Sequence, residues 1–291
     1  MTTDVLVGAA GETARPIRRK AAPSAPARAT RRALVAYAVV LLVWQLGATS
    51  RGWLGHPLPC LGNLPAPSAV LEAFRRLIVD PGYWQSGYAS FVRVITGFGA
   101  AVVVGVPLGL VMALNPRVRR VVFPVFELLR PIPPLAWVPA AIIFWPTQEL
   151  SIDFVIFIGA FYTMVLNVLG GADAVDVRLI QTARSMGASR WNVFSRVVLP
   201  AVIPSIVVGS QVAIGVTWEV VVAAEMISGG GSGGGTSSGG GLGFFIWNSY
   251  VGGSYPQIVV GMISIGIAGY FSSAALRWTG GRLTRWAGAR S

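Results

Sequence analysis

The chain has 291 residues, of which 54% are hydrophobic and only 12% charged, and its mean hydropathy is +0.64. So much apolar sequence excludes an ordinary soluble domain and indicates an all-α integral membrane protein. The net charge of +12 would suggest nucleic-acid binding in a soluble protein, but 22 of the 23 basic residues are arginines that flank apolar stretches, which favours a membrane surface over nucleic acid.

The N-terminal part of the chain combines a basic segment with the first apolar stretch. Residues 1–32 carry seven basic residues without apolar periodicity, which predicts a disordered cytoplasmic tail, with a transit peptide as the alternative. Residues 33–50 form the first predicted span. Residues 67–78 then predict an amphipathic helix on the outer membrane surface, with Ser68 as its N-cap.

Five further apolar stretches predict transmembrane helices, because a crossing of about 30 Å needs roughly 20 residues at about 1.5 Å each. The third span contains five prolines. Residues 33–276 therefore form a transmembrane domain of six spans, and residues 277–291 a second basic cytoplasmic tail. The five spans cover residues 86–114, 121–145, 152–169, 203–227 and 257–276.

The basic residues outside the spans predict the topology. With both termini in the cytoplasm, cytoplasmic segments hold 18 basic residues and outer segments only three, Arg51, Arg75 and Arg76. Cytoplasmic loops carry the excess of Lys and Arg in membrane proteins. The charges therefore predict six spans with both termini, and residues 176–200, on the cytoplasmic side.

Residues 228–243 contain ten glycines in 16 positions, which predicts a flexible loop. The topology places this loop on the outer side. Two interpretations remain open, a neutral linker and a loop that touches an external protein.

Residues 176–200 form a polar, arginine-bearing interruption between two spans. The apolar residues recur at helical spacing on each side of Gly187, which predicts two short amphipathic helices hinged at that glycine. An amphipathic loop on the membrane surface is the alternative. The apolar positions are Leu179, Ile180, Ala183 and Met186 before the hinge, and Trp191, Phe194, Val197 and Val198 after it.

This segment resembles the EAA loop of ABC-importer permeases, whose pattern is E-A-A-x3-G-x9-I-x-L-P. The glycine and Leu-Pro spacings match in full, while Gln181 replaces the Glu of the family and Thr182 its first Ala. In that family the loop is the coupling helix that docks on the ATPase subunit. The positions that the resemblance assigns to ATPase coupling are Gln181, Thr182, Ala183, Gly187, Val197, Leu199 and Pro200.

Three other stretches resemble the nitrate, sulfonate, taurine and bicarbonate branch of these permeases. They are residues 90–110, residues 127–140 and the sequence Ala-Ala-Glu-Met at 223–226, and the resemblance extends over roughly residues 65–285.

The resemblance implies six transmembrane helices of the type I ABC-importer permease kind with a cytoplasmic coupling helix. It also implies a homodimer in the lipid of a bacterial inner membrane, separate ATPase subunits that use ATP and Mg²⁺, and an external solute-binding protein. The implied solute is a small anion such as nitrate, a sulfonate like taurine, or bicarbonate, with some neutral heterocycles also among the solutes of the branch.

Charged and proline residues inside the spans are candidates for a translocation path, because broken helices and intramembrane charges occur at transport sites. Arg93 either attracts an anion or extends to the membrane surface. Glu127 and Arg130 lie on one helical face and form either an ion pair or part of the path. Glu219 and Glu225 either gate the path or pair with an arginine. The candidate path residues are Arg93, Glu127, Arg130, Pro133, Pro134 and Glu219.

The sequence offers no catalytic or metal site. The single lysine, Lys20, lies between Arg19 and Ala21 and so cannot belong to an ATP-binding P-loop, and the chain has one histidine and one cysteine. ATP hydrolysis is therefore expected in a partner subunit, with no cofactor on this chain. The alternatives are an ATP-independent channel or secondary carrier, and a lipid-modifying membrane enzyme, which would need acidic, His or Cys clusters that the spans lack.

Overall fold

A computed structural model describes residues 26–50, 52, 55, 56, 58, 62–229 and 240–284. Every regular element in this part of the chain is helical, which confirms the all-α prediction. Most of the predicted N-terminal tail and residues 230–239 of the glycine-rich stretch lie outside it. The helices are α1 Pro26–Ala48, α2 Pro67–Leu77, α3 Pro81–Leu114, α4 Pro116–Leu129, α5 Val138–Phe144, α6 Gln148–Asp173, α7 Val177–Ser185, α8 Arg190–Val193, α9 Leu199–Gly229, α10 Gly241–Val251 and α11 Tyr255–Leu283.

Four helices in the described residues are long and apolar enough to cross a membrane: α3, α6, the continuous helix Arg190–Ile227, and α11. A fifth crossing is possible through the bent pair formed by α4 and the segment Pro134–Phe144. The predicted first span corresponds to the shorter apolar helix Arg32–Ala48.

The bent pair lies where the sequence predicts a single proline-broken third span. Its two halves meet at 88°. Proline cannot donate a backbone hydrogen bond and its ring disrupts the preceding helical turn. Pro131 and Pro133 follow the end of α4, Pro133 is extended, and Pro134 begins a 3₁₀ turn that leads into α5.

Several boundaries differ from the sequence prediction. Ser68 is not the N-cap of α2; Ala66 holds that position, and Ser68 instead exchanges hydrogen bonds with Gln45 of α1. Helix α11 continues to Leu283, into the predicted C-terminal tail. Helix α10 was not predicted at all, and it begins inside the predicted glycine-rich loop.

Helices α3 and α6 approach closely along a stripe of small residues on α3. Gly97, Gly105 and Gly109 contact α6 so tightly that a methyl group on Gly97 would lie 2.4 Å from Cγ2 of Ile156. Small residues allow transmembrane backbones to pack directly, since hydrocarbon provides no hydrophobic force between helices.

The same mode of packing joins α6 to α9. A methyl group added to Gly171 of α6 would lie 2.3 Å from Ser205, and one added to Gly209 of α9 would lie 2.6 Å from Asn167. Helices α3, α6 and α9 therefore form the closely packed centre of the molecule.

Candidate functional site

One end of this three-helix centre holds a cluster of charged side chains around Arg93. The Arg93 guanidinium donates two hydrogen bonds to Glu149 at the start of α6, at 2.7 and 2.6 Å, and a third to Glu225 near the end of α9, at 2.8 Å. The side chain of Arg93 is 7% exposed and that of Glu225 is 0% exposed, whereas that of Glu149 is 62% exposed. Arg93 is therefore already paired with two carboxylates.

The buried carboxylate of Glu225 has further donors. The Ser90 hydroxyl donates to both of its oxygens, at 2.8 and 2.9 Å, and the backbone N–H of Gly243 donates to Oε2 at 2.9 Å. Ser90 Oγ in turn accepts a hydrogen bond from the backbone N–H of Leu242, at 2.7 Å. We call Ser90, Arg93, Glu149 and Glu225, with these two N–H groups, the ion cluster. It joins α3, α6, α9 and α10.

A second polar contact lies about one helical turn from Arg93, toward the C-terminus of α3. The hydroxyl of Thr96 on α3 donates to Asp153 of α6 at 3.1 Å. Three carboxylates, those of Glu149, Asp153 and Glu225, accompany the single Arg93 guanidinium here. The local charge at this end of the bundle therefore does not favour the binding of a free anion.

The sequence prediction for this region was right in part. It included a pairing of Glu225 with an arginine as one option, and the structure shows that pair. It did not include Glu149, which lies 56 positions from Arg93 with no motif to connect the two. The available signal is general: a charge inside a membrane span needs a partner.

Residues 176–200 lie at the opposite end of the same helices, between the end of α6 and the body of α9. Asp176 caps α7 through a hydrogen bond from the Arg178 N–H, and Ser189 caps α8 through one from the Asn192 N–H. Between them Gly187 has φ +82°, a left-handed conformation that glycine adopts without strain. The predicted pair of helices hinged at Gly187 is present.

The second of these helices does not end before the fifth span. Helix α8 continues through a π-helical turn, Phe194–Val198, directly into α9. Here the N–H of Leu199 donates to the carbonyl of Phe194, five residues earlier. Pro200 has no N–H to continue the ordinary ladder, and π turns of this kind occur often at functional positions.

The seven residues assigned to coupling lie in different surroundings. Gln181, Thr182 and Gly187 are exposed, and the hydroxyl of Thr182 donates to the Arg178 carbonyl. Ala183 is buried in an apolar cluster that includes Val193 and Val198, while the other three are half-buried: Val197, Leu199 and Pro200.

The apolar side chains of this segment divide into two groups. Ile180 and Ala183 pack into the core, as predicted. Met186 and Trp191 do not, and are 77% and 69% exposed, and Val177 and Leu179 are exposed as well. These four exposed residues, three before Gly187 in the sequence and one after it, are called the apolar patch.

The remaining path candidates lie on the surface of the single chain. Glu127 and Arg130 on or next to α4 and Glu219 on α9 are exposed, and no ion pair joins Glu127 to Arg130. Pro133 is exposed and Pro134 packs near Gly159 of α6. No group of three His, Cys, Asp or Glu residues suited to a metal ion occurs in the described part of the chain.

Comparisons with known proteins agree with this architecture. A family model described as "Binding-protein-dependent transport system inner membrane component" matches residues 105–286. The nitrate import permease protein NrtB of Synechocystis sp. is 36% identical over 247 residues, covering 82% of this chain and 83% of that protein. The taurine transport system permease protein TauC of Escherichia coli is 34% identical over 256 residues, covering 86% and 88%.

Solved structures are similar at the level of the fold. An inward-facing form of the MetNI methionine ABC transporter superposes with a TM-score of 0.56 at 20% identity, covering 74% of this chain and 97% of that one. A bacterial ABC transporter that imports alginate gives 0.56 at 15% identity, covering 88% and 98%.

The family model covers more than half of the chain, and both relatives match over most of their own length. The chain therefore belongs to the family of binding-protein-dependent transport system inner membrane components.

Proposed function

We propose that this protein is the permease subunit of an ATP-driven importer for a small oxyanion, with ATP hydrolysed by a partner subunit. The observation that carries the proposal is the hinged segment 176–200, which has an exposed side at one end of a tightly packed bundle, follows α6 after a short turn and continues directly into α9. Such a segment can convert a push from a partner into movement of the bundle.

The apolar patch is the proposed contact with the ATPase. Exposed Met and Trp side chains are typical anchors of protein interfaces, since they bury large areas when a partner covers them. Gln181 lies exposed on α7 and can supply hydrogen bonds at this contact without a charge. The proposal places this end of the bundle, and both chain termini, in the cytoplasm, as the distribution of arginines predicts.

A second permease copy follows from the exposed charges. Glu127, Arg130 and Glu219 belong to apolar membrane helices or to their break, yet their side chains are exposed in the single chain. Charges in a span are expensive unless they face protein or a water-filled cavity. Two copies around a twofold axis would place these residues on a shared path.

The proposed solute class rests on the relatives and on Arg130. Two relatives are named for nitrate and taurine import, and a third, from Synechococcus elongatus, for bicarbonate transport. All three solutes carry an oxyanion group. Arg93 does not support an anionic solute, because it is already paired with Glu149 and Glu225. Arg130 is exposed and can attract an anion to the path.

The proposal is tested by reconstitution. The tagged chain, expressed with the ATPase and binding-protein subunits of its transport system, should co-purify with the ATPase and take up nitrate, taurine or bicarbonate into liposomes only when ATP is present. Uptake by the chain alone, driven by a solute or ion gradient, would support the channel or carrier alternative instead.

The charge at the break of the third span provides a second prediction. Replacing Arg130 with Gln should lower anion uptake roughly tenfold, equivalent to about 1.4 kcal/mol, because the path loses its attraction for the anion. The matched control is Glu127→Gln, three residues earlier on the same helix. It should leave anion uptake unchanged or raise it, and equal losses in both variants would contradict an anionic solute.

A further inference from the structure

Helix α10 is attached to the bundle at its N-terminus by side chains from other helices. The N–H groups of Leu242 and Gly243 donate to Ser90 of α3 and Glu225 of α9. The approach is close: a methyl group on Gly241, whose φ is +78°, would lie 2.1 Å from the Glu225 carboxylate, and one on Gly243 would lie 2.2 Å from the carbonyl oxygen of Val222. The start of α10 is thereby held to the bundle.

The attachment is strong because the Glu225 carboxylate at its centre is fully buried. The Glu225 side chain has no exposed surface, and it accepts hydrogen bonds from Ser90, Arg93 and Gly243. Charge-assisted hydrogen bonds are stronger than neutral ones, and low surrounding polarity strengthens them further. Arg93 extends the attachment to Glu149, so that α6 is held as well.

The other end of α6 and α9 leads to the hinged segment. Helix α6 has 26 residues and therefore spans about 39 Å from Gln148 to Asp173. At that far end Arg119 forms a bidentate ion pair with Asp173, at 2.8 Å for both contacts. This pair joins α4 to α6; the three central helices themselves are held together by the ion cluster at one end and by the close glycine contacts along their length.

We propose that Arg93 and Glu225 are positioning residues for transport. They couple α10, which lies at the end of the bundle opposite the hinged segment, to the movement that the ATPase imposes on that segment. This proposal rests on the proposed function. Force applied at residues 176–200 moves the rigid bundle, and the ion cluster makes α10 move with it. Without the cluster, α10 would keep its apolar contacts and the hydrogen bond from Ser249 to Gln257 of α11, but would lose its polar attachment to α3 and α9.

The chemistry of the cluster favours this role over fold stability alone. Replacing a buried ion pair with apolar residues of similar size is often neutral or stabilising, so the pair is a costly way to hold a helix. An ion pair with directed hydrogen bonds does, however, hold one defined geometry, as transmission of a movement requires.

The test uses the complete transporter in liposomes, with its ATPase and binding protein, and the double variant Arg93→Gln/Glu225→Gln. The amides keep a polar side chain at each position but remove the charge-assisted hydrogen bonds of the cluster, and they leave no unpaired buried charge, since Glu149 is exposed. The expected result is normal assembly and normal basal ATP hydrolysis, with solute transported per ATP reduced roughly tenfold, within the usual range of coupling between sites. The control is Glu72→Gln/Arg76→Gln, which neutralises an exposed ion pair on α2 and should change none of these quantities.

A distance measurement separates coupling from stability. Spin labels at Tyr250 of α10 and Tyr88 of α3, both exposed, are introduced after replacing the single cysteine, Cys60, with Ser. The parent should show one narrow distance in both the ATP-bound and nucleotide-free states. The double variant should show a broad distribution.

Unchanged transport per ATP in the double variant, or a distance distribution as narrow as in the parent, would overturn the proposal. If the double variant does not assemble, Ser90→Ala decides, since it removes only the bond to Leu242 and one donor to Glu225: transport per ATP should fall, and an unchanged ratio would count against the coupling. A parent complex that shows neither ATP-dependent uptake nor ATPase binding would instead refute the proposed function.

Discussion

Replacing Gly187 with Val should abolish most ATP-driven uptake while the chain still folds and inserts. At φ +82° a β-branched residue is strained by about 1–3 kcal/mol, so the hinge would relax to another conformation and α7 would turn away from α8. No atom lies within 4 Å of a Cβ built on Gly187, so the effect is conformational and not steric. We expect uptake to fall roughly tenfold or more, and ATPase co-purification to weaken.

The matched variant is Gly187→Asn. Asparagine adds a larger polar group at the same exposed position but tolerates the left-handed conformation far better than valine. Uptake by the Asn variant should therefore stay near that of the parent. Equal losses of uptake in the Val and Asn variants would show that uptake does not depend on the backbone conformation of Gly187. The hinge would then have no role in coupling.

The hinge illustrates what local sequence can predict. Glycine between two amphipathic stretches indicates a break in the helix, and the structure shows that break with capping residues on both sides, Asp176 and Ser189. The proline-broken third span is similar, because the effect of Pro131, Pro133 and Pro134 on a helix is local. The size of the bend, 88°, depends on packing against α6 and α9 and could not be predicted.

Helix α10 shows where local pattern is insufficient. Residues 241–251 are almost uniformly apolar, with neither the helical nor the strand period, and they follow a run of glycines. The segment is a helix at this place because of tertiary contacts: its N–H groups at Leu242 and Gly243 are satisfied by Ser90, 152 positions away, and by Glu225, 18 positions away, with no local motif to show either bond.

The ion cluster was only partly predictable for the same reason. Its members come from four helices, and the partner of Glu225 could have been any arginine at the same membrane depth. The selection of Arg93 depends on how α3 and α9 both pack against α6. That packing depends in turn on the small residues of α3. The sequence shows that these residues are present, but only the structure shows which of them contact α6.

Gly97→Ala should accordingly be the most destabilising glycine-to-alanine substitution on α3, since its added methyl group makes the shortest contact. The new Cβ would lie 2.4 Å from Cγ2 and 2.8 Å from Cβ of Ile156, and both atoms belong to a fully buried side chain in the core. Relief requires α3 and α6 to separate, which would also stretch the bonds between Arg93 and Glu149 one turn away. We expect the free energy of unfolding to fall by about 1–3 kcal/mol, measured as a lower apparent melting temperature of the purified protein in detergent.

Gly99→Ala is the control on the same helix, since no atom lies within 4 Å of its added methyl group. Alanine is the better helix former by about 0.5–1 kcal/mol, so this variant should be as stable as the parent or slightly more stable. A rescue test completes the cycle: Ile156→Ala removes Cγ2, the nearer of the two colliding atoms, and leaves only the Cβ contact, so the two substitutions together should cost less than the sum of their separate effects. If the Gly97→Ala and Gly99→Ala variants melt at the same temperature, the close contact between α3 and α6 does not hold the bundle together. The proposed rigid connection between the two ends of the bundle would then lose its support.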